Sequence, residues 1–206
     1  MNPAAIPQMI QSNSNGTETV ILYTSATGQL PTFNTTSYKP VNVLVDNALF
    51  SRVGVNGVDS ISQDVVGDTQ AIWPQVLESA FATLNGGYAA IGAGGNPVVA
   101  LEEMTGMPAI SVQPDRMTWA GLLADLDSDD LMVFNTVAST RALPDGLVSD
   151  HSYILEGVNA NGTVQLANPW GFDQPAAIAF SALESVGVGS IDIGQQHQPT
   201  TTTAVA

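Results

Sequence analysis

An α+β fold is what this sequence predicts, and three observations carry the prediction. Runs rich in Val, Ile and Leu are interspersed with helical stripes, but without the regular β-α-β repeat of a doubly wound parallel sheet. Residues from Trp73 to Leu84 carry a full 3.6-period apolar stripe. Residues from His151 to Ala167 form two apolar runs around an Asn-Gly, the pattern of a β-hairpin. The chain has 206 residues, 44% of them apolar, enough for one good-sized domain or two small lobes sharing an interface.

Taken in order, Pro3 to Gln11 reads as a short helix, with Ile6, Met9 and Ile10 at i, i+3 and i+4. "SNSNGT" is a polar break, and "ETVILYT" and "KPVNVLVDNALF" read as strands joined by the turn-rich "TGQLPTFNTTSY". "SRVGVNGVDSISQDVVGD" reads as loop. In the clearest helix Trp73, Val76, Leu77, Ala80, Phe81 and Leu84 share one face. Asp68 or Thr69 can cap its start, Pro74 is tolerated in its first turn, and Asn85-Gly86-Gly87 stops it. "IGAGGNPVVALEEMTGMPA" is a Gly-rich loop and a short helix ending at Gly106; its "GAGG" is no phosphate loop, because no Gly-Lys-Ser/Thr follows. Trp119, Leu122, Leu123 and Leu126 mark another helix, and "LMVFNTV" a buried strand. After the hairpin, "AIAFSALESV" reads as a short helix and "GSIDI" as a last strand. The Thr-rich tail, which holds His197, reads as a linker or frayed end.

Composition excludes several functions. Nineteen acidic residues face only Lys39, Arg52, Arg116 and Arg141, a formal net charge of −15. Nucleic-acid phosphates and anionic lipid surfaces would be repelled. The charge fits either a solubilising acidic surface or adaptation to high salt or calcium outside the cell. No run of roughly 18 apolar residues is present, so no membrane span is expected. "MNPAAIPQMIQ" has no basic n-region, so no signal peptide is expected there. The absence of cysteine excludes disulfides, thiolate metal sites and a cysteine nucleophile supplied by this chain.

The hairpin has chemically unusual ends. It opens on His151, one of two histidines, and runs into Asn168-Pro169-Trp170-Gly171. Successive strand residues alternate faces, so His151, Tyr153 and Leu155 share one side, as do Val164, Leu166 and Asn168. An even loop sets His151 and Asn168 on one face, opposite or diagonal; an odd loop with a bulge could break this. An amide oxygen accepting from a ring N–H would fix the imidazole tautomer and leave the other nitrogen for a nucleophile, with Trp170 shielding the bond. Spacing alone leaves a second reading open: a structural histidine beside a turn-forming Asn-Pro.

"HSYILEGV…GTVQLANPWG" resembles the histidine-to-asparagine segment of calpain-type cysteine proteases, H-A-Y-x-[VIL] and later N-P-W-G. "IWPQVLESAFATLNGGYAAIGAGGNPVVALEEMTG" resembles their W-x-x-[LV]-[LI]-E-K-A-[YF]-A-K-L-x-G-x-Y, Gly-rich turn and Thr-Gly helix end. "VNVLVDNALF" and "LMVFNTV" look like the strands preceding that helix and the histidine. The blocks follow the family order over roughly residues 18 to 193, closest in style to compact bacterial calpain-like proteins. The resemblance implies a papain-like α+β fold, two lobes with the active site between them. It implies peptide-bond hydrolysis by a Cys-His-Asn triad, with His151 as base, Asn168 as orienter and Trp170 beside the site. The substrate would be a protein or peptide.

The departures shape the expectation. The family's Q-G-x-x-G-D-C-[WY] block, which supplies the nucleophile and the oxyanion-hole glutamine, is absent. The chain therefore reads as an incomplete protease fold: residues 1–106 the C-terminal part of the cysteine lobe, 107–194 the lobe carrying His and Asn, and 195–206 a low-complexity tail. A Cys-bearing N-terminal segment is expected in the full-length protein, and this chain alone is expected to be inactive. The alternatives are a pseudo-protease binding module and a β-rich surface module with an accidental likeness. Asp150 replaces a glycine common before the histidine and, if near the ring, would stabilise imidazolium. No cofactor is required; calcium is the family's candidate, with Glu78 aligned to a glutamate that takes part in some calpains. Its other reading is a solvated helix carboxylate. "DLDSDD" lacks the glycine and terminal glutamate of an EF-hand loop. The acidic, Lys-poor composition favours a secreted bacterial protein without fixing a compartment.

Overall fold

The computed structural model describes residues 6–32, 35–46 and 73–195. Strands and helices are mixed, and among the described residues every strand pairing is antiparallel, in keeping with an α+β chain. A three-stranded sheet has the order β1 (Ile10–Ser12), β2 (Thr17–Ser25), β3 (Tyr38–Asp46). In β2 the alternation is strict: Glu18, Val20, Leu22 and Thr24 are buried and the residues between them are not. Val20 and Leu22 meet Val43 and Val45 of β3, and Val76, Leu77 and Ala80 of helix α2 (Trp73–Leu84) cover them. The α2 stripe thus forms as the 3.6 period dictates. Trp73 is the exception, at the solvent edge with 37% of its surface exposed.

Of the helix expected from Pro3 to Gln11, the described residues form one turn, Ile6–Met9 (α1), and Ile10 pairs instead with Val20. Nucleating a short helix fixes several residues for one hydrogen bond, so pairing along an existing strand edge wins. The loop read over 51–68, the end of the third strand at 47–50, the caps Asp68 and Thr69, and His197 lie outside the described residues.

After a one-turn helix α3 (Tyr88–Ile91), helix α4 (Pro97–Thr105) begins under an Asn96 cap, whose side chain accepts from the Val98 N–H, and it carries Pro97 in its first turn. It ends at Gly106 in the left-handed conformation (φ 66°), whose N–H bonds the Glu102 carbonyl at 2.8 Å. A Cβ there would lie 2.5 Å from the Tyr23 ring of β2, so close approach as well as backbone sign demands glycine.

A six-stranded sheet follows, in the order β4 (Ala109–Val112), β9 (Val188–Gly194), β5 (Leu131–Thr136), β6 (Ser152–Val158), β7 (Thr163–Ala167), β8 (Ile178–Ala179). One face supplies Met132, Phe134, Tyr153, Leu166, Ile191 and Ile193 to the main core, together with Leu122 of helix α5 (Trp119–Asp127). On the opposite face, Val98 and Leu101 of α4 pack with Ala109, Leu131 and Val133. The residues further along the same strands on that face are polar, and α4 does not cover them. The helix expected over "AIAFSALESV" is instead the two-residue strand β8 and a 3₁₀ turn, Phe180–Ala182. Ile178 pairs with Val164 at the sheet edge and Leu183 enters the core, so tertiary pairing overrides the helical pattern.

Two consecutive carboxylates, Glu102 and Glu103, are buried in α4. Asn85 Nδ2 donates to Glu103 Oε2 at 2.8 Å, while Glu103 Oε1 has no hydrogen-bond partner. Burial pushes the Glu103 carboxyl up to about 7, with the Asn85 bond opposing part of the effect, and burial raises Glu102 too. The folded state holds the Glu103 proton more tightly than the unfolded chain, whose ordinary value is 4.5. Stability therefore falls as pH rises from 4.5 to about 7, by at most about 3 kcal/mol from this group. Glu103→Gln should flatten that fall in urea-unfolding midpoints: equal to the parent near pH 4, more stable near pH 8. Parallel profiles would contradict it.

Candidate active site

The site begins with the register of the β6–β7 hairpin. Near the turn, Val158 pairs with Val164 and Gly157 with Gln165; beyond Glu156 the partners shift, and Leu155 faces Leu166 and Ile154 faces Ala167. The turn is thus odd, and the bulge removes its one-residue offset. Continuing the shifted register places Tyr153 across from Asn168 and His151 across from Trp170. The sequence left open whether a bulge would separate His151 from Asn168; here it sets them on one face, on the diagonal.

Side chains complete the arrangement. His151 Nε2 lies 3.0 Å from Asn168 Oδ1. Asn168 is 1% exposed, and each of its polar atoms has a partner. Its N–H donates to Gln174 Oε1 at 2.7 Å, its carbonyl accepts from Gln174 Nε2 at 3.1 Å, and its Nδ2 donates to the Asp173 carbonyl at 3.3 Å. The Trp170 N–H donates to the same Oδ1 at 3.0 Å. A carbonyl below the amide nitrogen and an N–H above the amide oxygen fix which end of the carboxamide faces the ring. Oxygen can only accept, so His151 carries its proton on Nε2, and in the neutral ring Nδ1 is the basic nitrogen.

The backbone of His151 is held as firmly. Its N–H donates to Thr136 Oγ1 at 2.9 Å, its carbonyl accepts from the Thr136 N–H at 2.9 Å, and Thr136 Oγ1 donates to the Val148 carbonyl at 2.7 Å. The ring meets Tyr153 edge-on at 4.9 Å and lies 4.3 Å from the Trp170 ring, tilted by 44°. Trp170 stacks in turn on Phe172 at 5.8 Å. The histidine is half-buried, so its hydrogen bond is shielded while the ring reaches the cleft. Asp150 occupies the left-handed region (φ 54°), its N–H on the Val137 carbonyl at 3.2 Å and its exposed side chain at the cleft.

That cleft, about 680 Å³, runs between the Gly94–Pro97 turn and the polar part of the six-stranded sheet, with His151 and Trp170 at its rim. The sheet residues there include Asn135, Ser190 and Asp192. The sequence reading had singled out neither these residues nor Thr136 and Gln174. For Asp192 a signal existed: in "GSIDI" the polar and apolar residues alternate, placing Ser190 and Asp192 on the face away from Ile191 and Ile193. Gln174 gave no such signal, because its bonds run to backbone six residues away.

Glu78 stands on α2, away from this cleft, and its charge adds to burial in raising the Tyr88 phenol. Calcium needs six to eight oxygens. Among the described residues no group of three or more His, Cys, Asp and Glu side chains gathers, so those residues do not form a carboxylate cage around Glu78. No helix among them is long and apolar enough to cross a membrane.

The Asn168 lock makes a prediction. Gln174→Ala leaves the buried Asn168 N–H unpaired, a cost of about 1–3 kcal/mol, while the Asn168 carbonyl keeps the Gly171 N–H at 3.1 Å. Hydrogen exchange at the Asn168 amide should accelerate at least about tenfold, because 1.4 kcal/mol is a factor of ten. Gln165→Ala, which removes a 3.3 Å bond to the Pro175 carbonyl, should leave it unchanged. Unaltered Asn168 exchange in Gln174→Ala would contradict the lock.

The sequence profile of the calpain family cysteine proteases matches residues 32–179, more than half of the chain. A calpain of Schistosoma mansoni is 30% identical over 149 residues, 64% of this chain and 19% of the relative. Calpain-9 of Rattus norvegicus is 31% identical over 122 residues, 50% of this chain and 17% of the relative. The chain thus spans about a fifth of the length of these relatives. The α+β, papain-like arrangement, the hairpin and the profile agree: this chain belongs to the calpain family of cysteine proteases.

Proposed function

We propose that the chain carries the general-base part of a Cys-His-Asn peptidase site acting on protein or peptide substrates, its nucleophile supplied by a cysteine-bearing segment outside this sequence. His151 is the base, Asn168 its orienter and Trp170 its shield. The observation that carries this reading is the one-way carboxamide of Asn168, which accepts from the Nε2–H and keeps Nδ1 for a thiol.

The chemistry follows from that nitrogen. Nδ1 takes the thiol proton, and the thiolate attacks the peptide carbonyl carbon. The imidazolium then gives the proton to the leaving amine, and a thioester remains. Water attacks the thioester, its proton passing to Nδ1; the acid departs and the thiol regains its proton. Asn168 stays neutral throughout and holds the ring in one orientation. Calcium has no step in this proposal.

A second reading rests on the lack of cysteine: a family member that has lost catalysis and binds partners through the same cleft. The reading frame upstream of Met1 separates the two. An in-frame Gly-Asp-Cys-Trp/Tyr block supports the peptidase, whereas a promoter and stop support the binding module.

Activity gives the direct test. The 206-residue chain alone should not hydrolyse casein. Joined in frame to a calpain-type cysteine segment, it should do so in a thiol-dependent manner. His151→Ala should then lower kcat by about 10²–10⁴-fold, the usual worth of a general base. Hydrolysis by the chain alone, or a joined enzyme indifferent to His151→Ala, would overturn the proposal.

A further inference from the structure

Tyr153 follows His151 by two residues, so in the extended run that enters β6 the two side chains leave on one side. His151 is half-buried and lines the cleft, whereas Tyr153 is fully buried and does not line it. The two rings meet at a centroid distance of 4.9 Å and an angle of 89°, the edge-to-face arrangement that aromatic pairs favour. At its other end, the Tyr153 phenol oxygen accepts from the Val148 N–H at 2.7 Å. Burial raises the phenol above its ordinary range, the Val148 bond opposing and the Asp173 charge adding, so Tyr153 stays neutral.

These contacts close a circuit. The Val148 carbonyl accepts from Thr136 Oγ1 at 2.7 Å, and Thr136 Oγ1 accepts from the His151 N–H at 2.9 Å. The His151 ring then returns to Tyr153, so backbone and ring of the histidine are tied to the same buried side chain. The Asn168 bond alone does not achieve this, because one hydrogen bond fixes one ring atom and leaves the ring free to swing about it. The other aromatic contact, Trp170, lines the cleft beside Phe172, which is 60% exposed. Tyr153 is instead held in the main core with Leu122, Phe134 and Leu166, where close packing confines its rotamer.

We infer that Tyr153 is a positioning residue for the base: its phenol anchors the Val148 end of the segment leading into His151, and its ring edge holds the imidazole so that Nδ1 keeps one direction. The inference deepens the peptidase reading and rests on it for the word base; the positioning itself does not require catalysis. The two duties separate by substitution. Phenylalanine keeps the ring and loses the acceptor, and leucine loses both.

The first test uses variants of the 206-residue chain. Tyr153→Phe should accelerate hydrogen exchange at the Val148 amide at least about tenfold and leave exchange of the His151 Nε2 proton as in the parent. Tyr153→Leu should accelerate both, the Nε2 proton again by at least about tenfold. A Val148 amide unchanged in Tyr153→Phe, or an Nε2 proton unchanged in Tyr153→Leu, would overturn the inference. Tyr153→Phe decides the matter at Val148 even if Tyr153→Leu fails to fold. The second test uses the chain joined to a cysteine segment. Tyr153→Leu should lower kcat by about 10–10²-fold with KM unchanged, because Tyr153 is out of reach of substrate, and Tyr153→Phe should recover most of that loss. Leu155→Ala, which thins the same core outside the circuit, should lower the urea-unfolding midpoint and leave kcat unchanged. An equal loss of kcat in Leu155→Ala would overturn the inference, since it would trace the effect to general core damage. The expected exchange pattern in a chain whose joined form does not hydrolyse casein removes the peptidase reading and leaves the positioning. A joined enzyme that cleaves casein with an unchanged kcat in Tyr153→Leu does the reverse.

Discussion

The hydrogen bond between Asn168 and His151 is the interaction on which the rest of the site depends. Its strength matters less than its direction. A carboxamide in an open pocket could turn over and offer N–H to the ring. Here the turn after β7 prevents that: the Asp173 carbonyl takes the Nδ2 side, the Trp170 N–H takes the Oδ1 side, and Gln174 closes on the Asn168 backbone from both ends. Reversing the amide would place N–H against N–H and oxygen against oxygen in a buried site, with the full cost of unmade bonds. The imidazole inherits its tautomer from this arrangement.

The fold serves that geometry through two sheets and one helix. The six-stranded sheet brings Thr136, His151 and Asn168 together from three strand ends, although up to 32 residues separate them in sequence. Helix α4, wedged against β2 by Gly106 and against the second sheet by Val98 and Leu101, covers the apolar half of the sheet face and stops. The uncovered half is polar, and it becomes the cleft. Apolar side chains place the helix, and what they leave bare is where chemistry can occur.

Much of this was legible in the sequence, and what was not has physical causes. The α2 stripe, the short helix ending at Gly106, and the apolar run of β5 are local signals that packing reinforces. Ile10 and Gln11 at the end of the first helix, and the edge strand β8, read as helix but are strand, because cross-strand partners decided them. Strand parity brought His151 and Asn168 to one face, but the bulge at Glu156 and the odd turn could not be read from composition. Two shifts cancelled, and the expected neighbours met by a route the spacing did not reveal. Gln174, Thr136 and Asp192 escaped notice because each acts through a partner brought close only by folding.

The central claim is that Asn168 fixes a neutral His151 with its proton on Nε2, leaving Nδ1 as the base. Long-range ¹H–¹⁵N correlation spectra of the imidazole nitrogens, recorded where His151 is neutral, test it most directly. The account predicts a protonated Nε2 and a bare Nδ1 in the parent chain, and a mixture of tautomers once Asn168→Ala removes the acceptor. A proton on Nδ1, or a ring unaffected by Asn168→Ala, would contradict it.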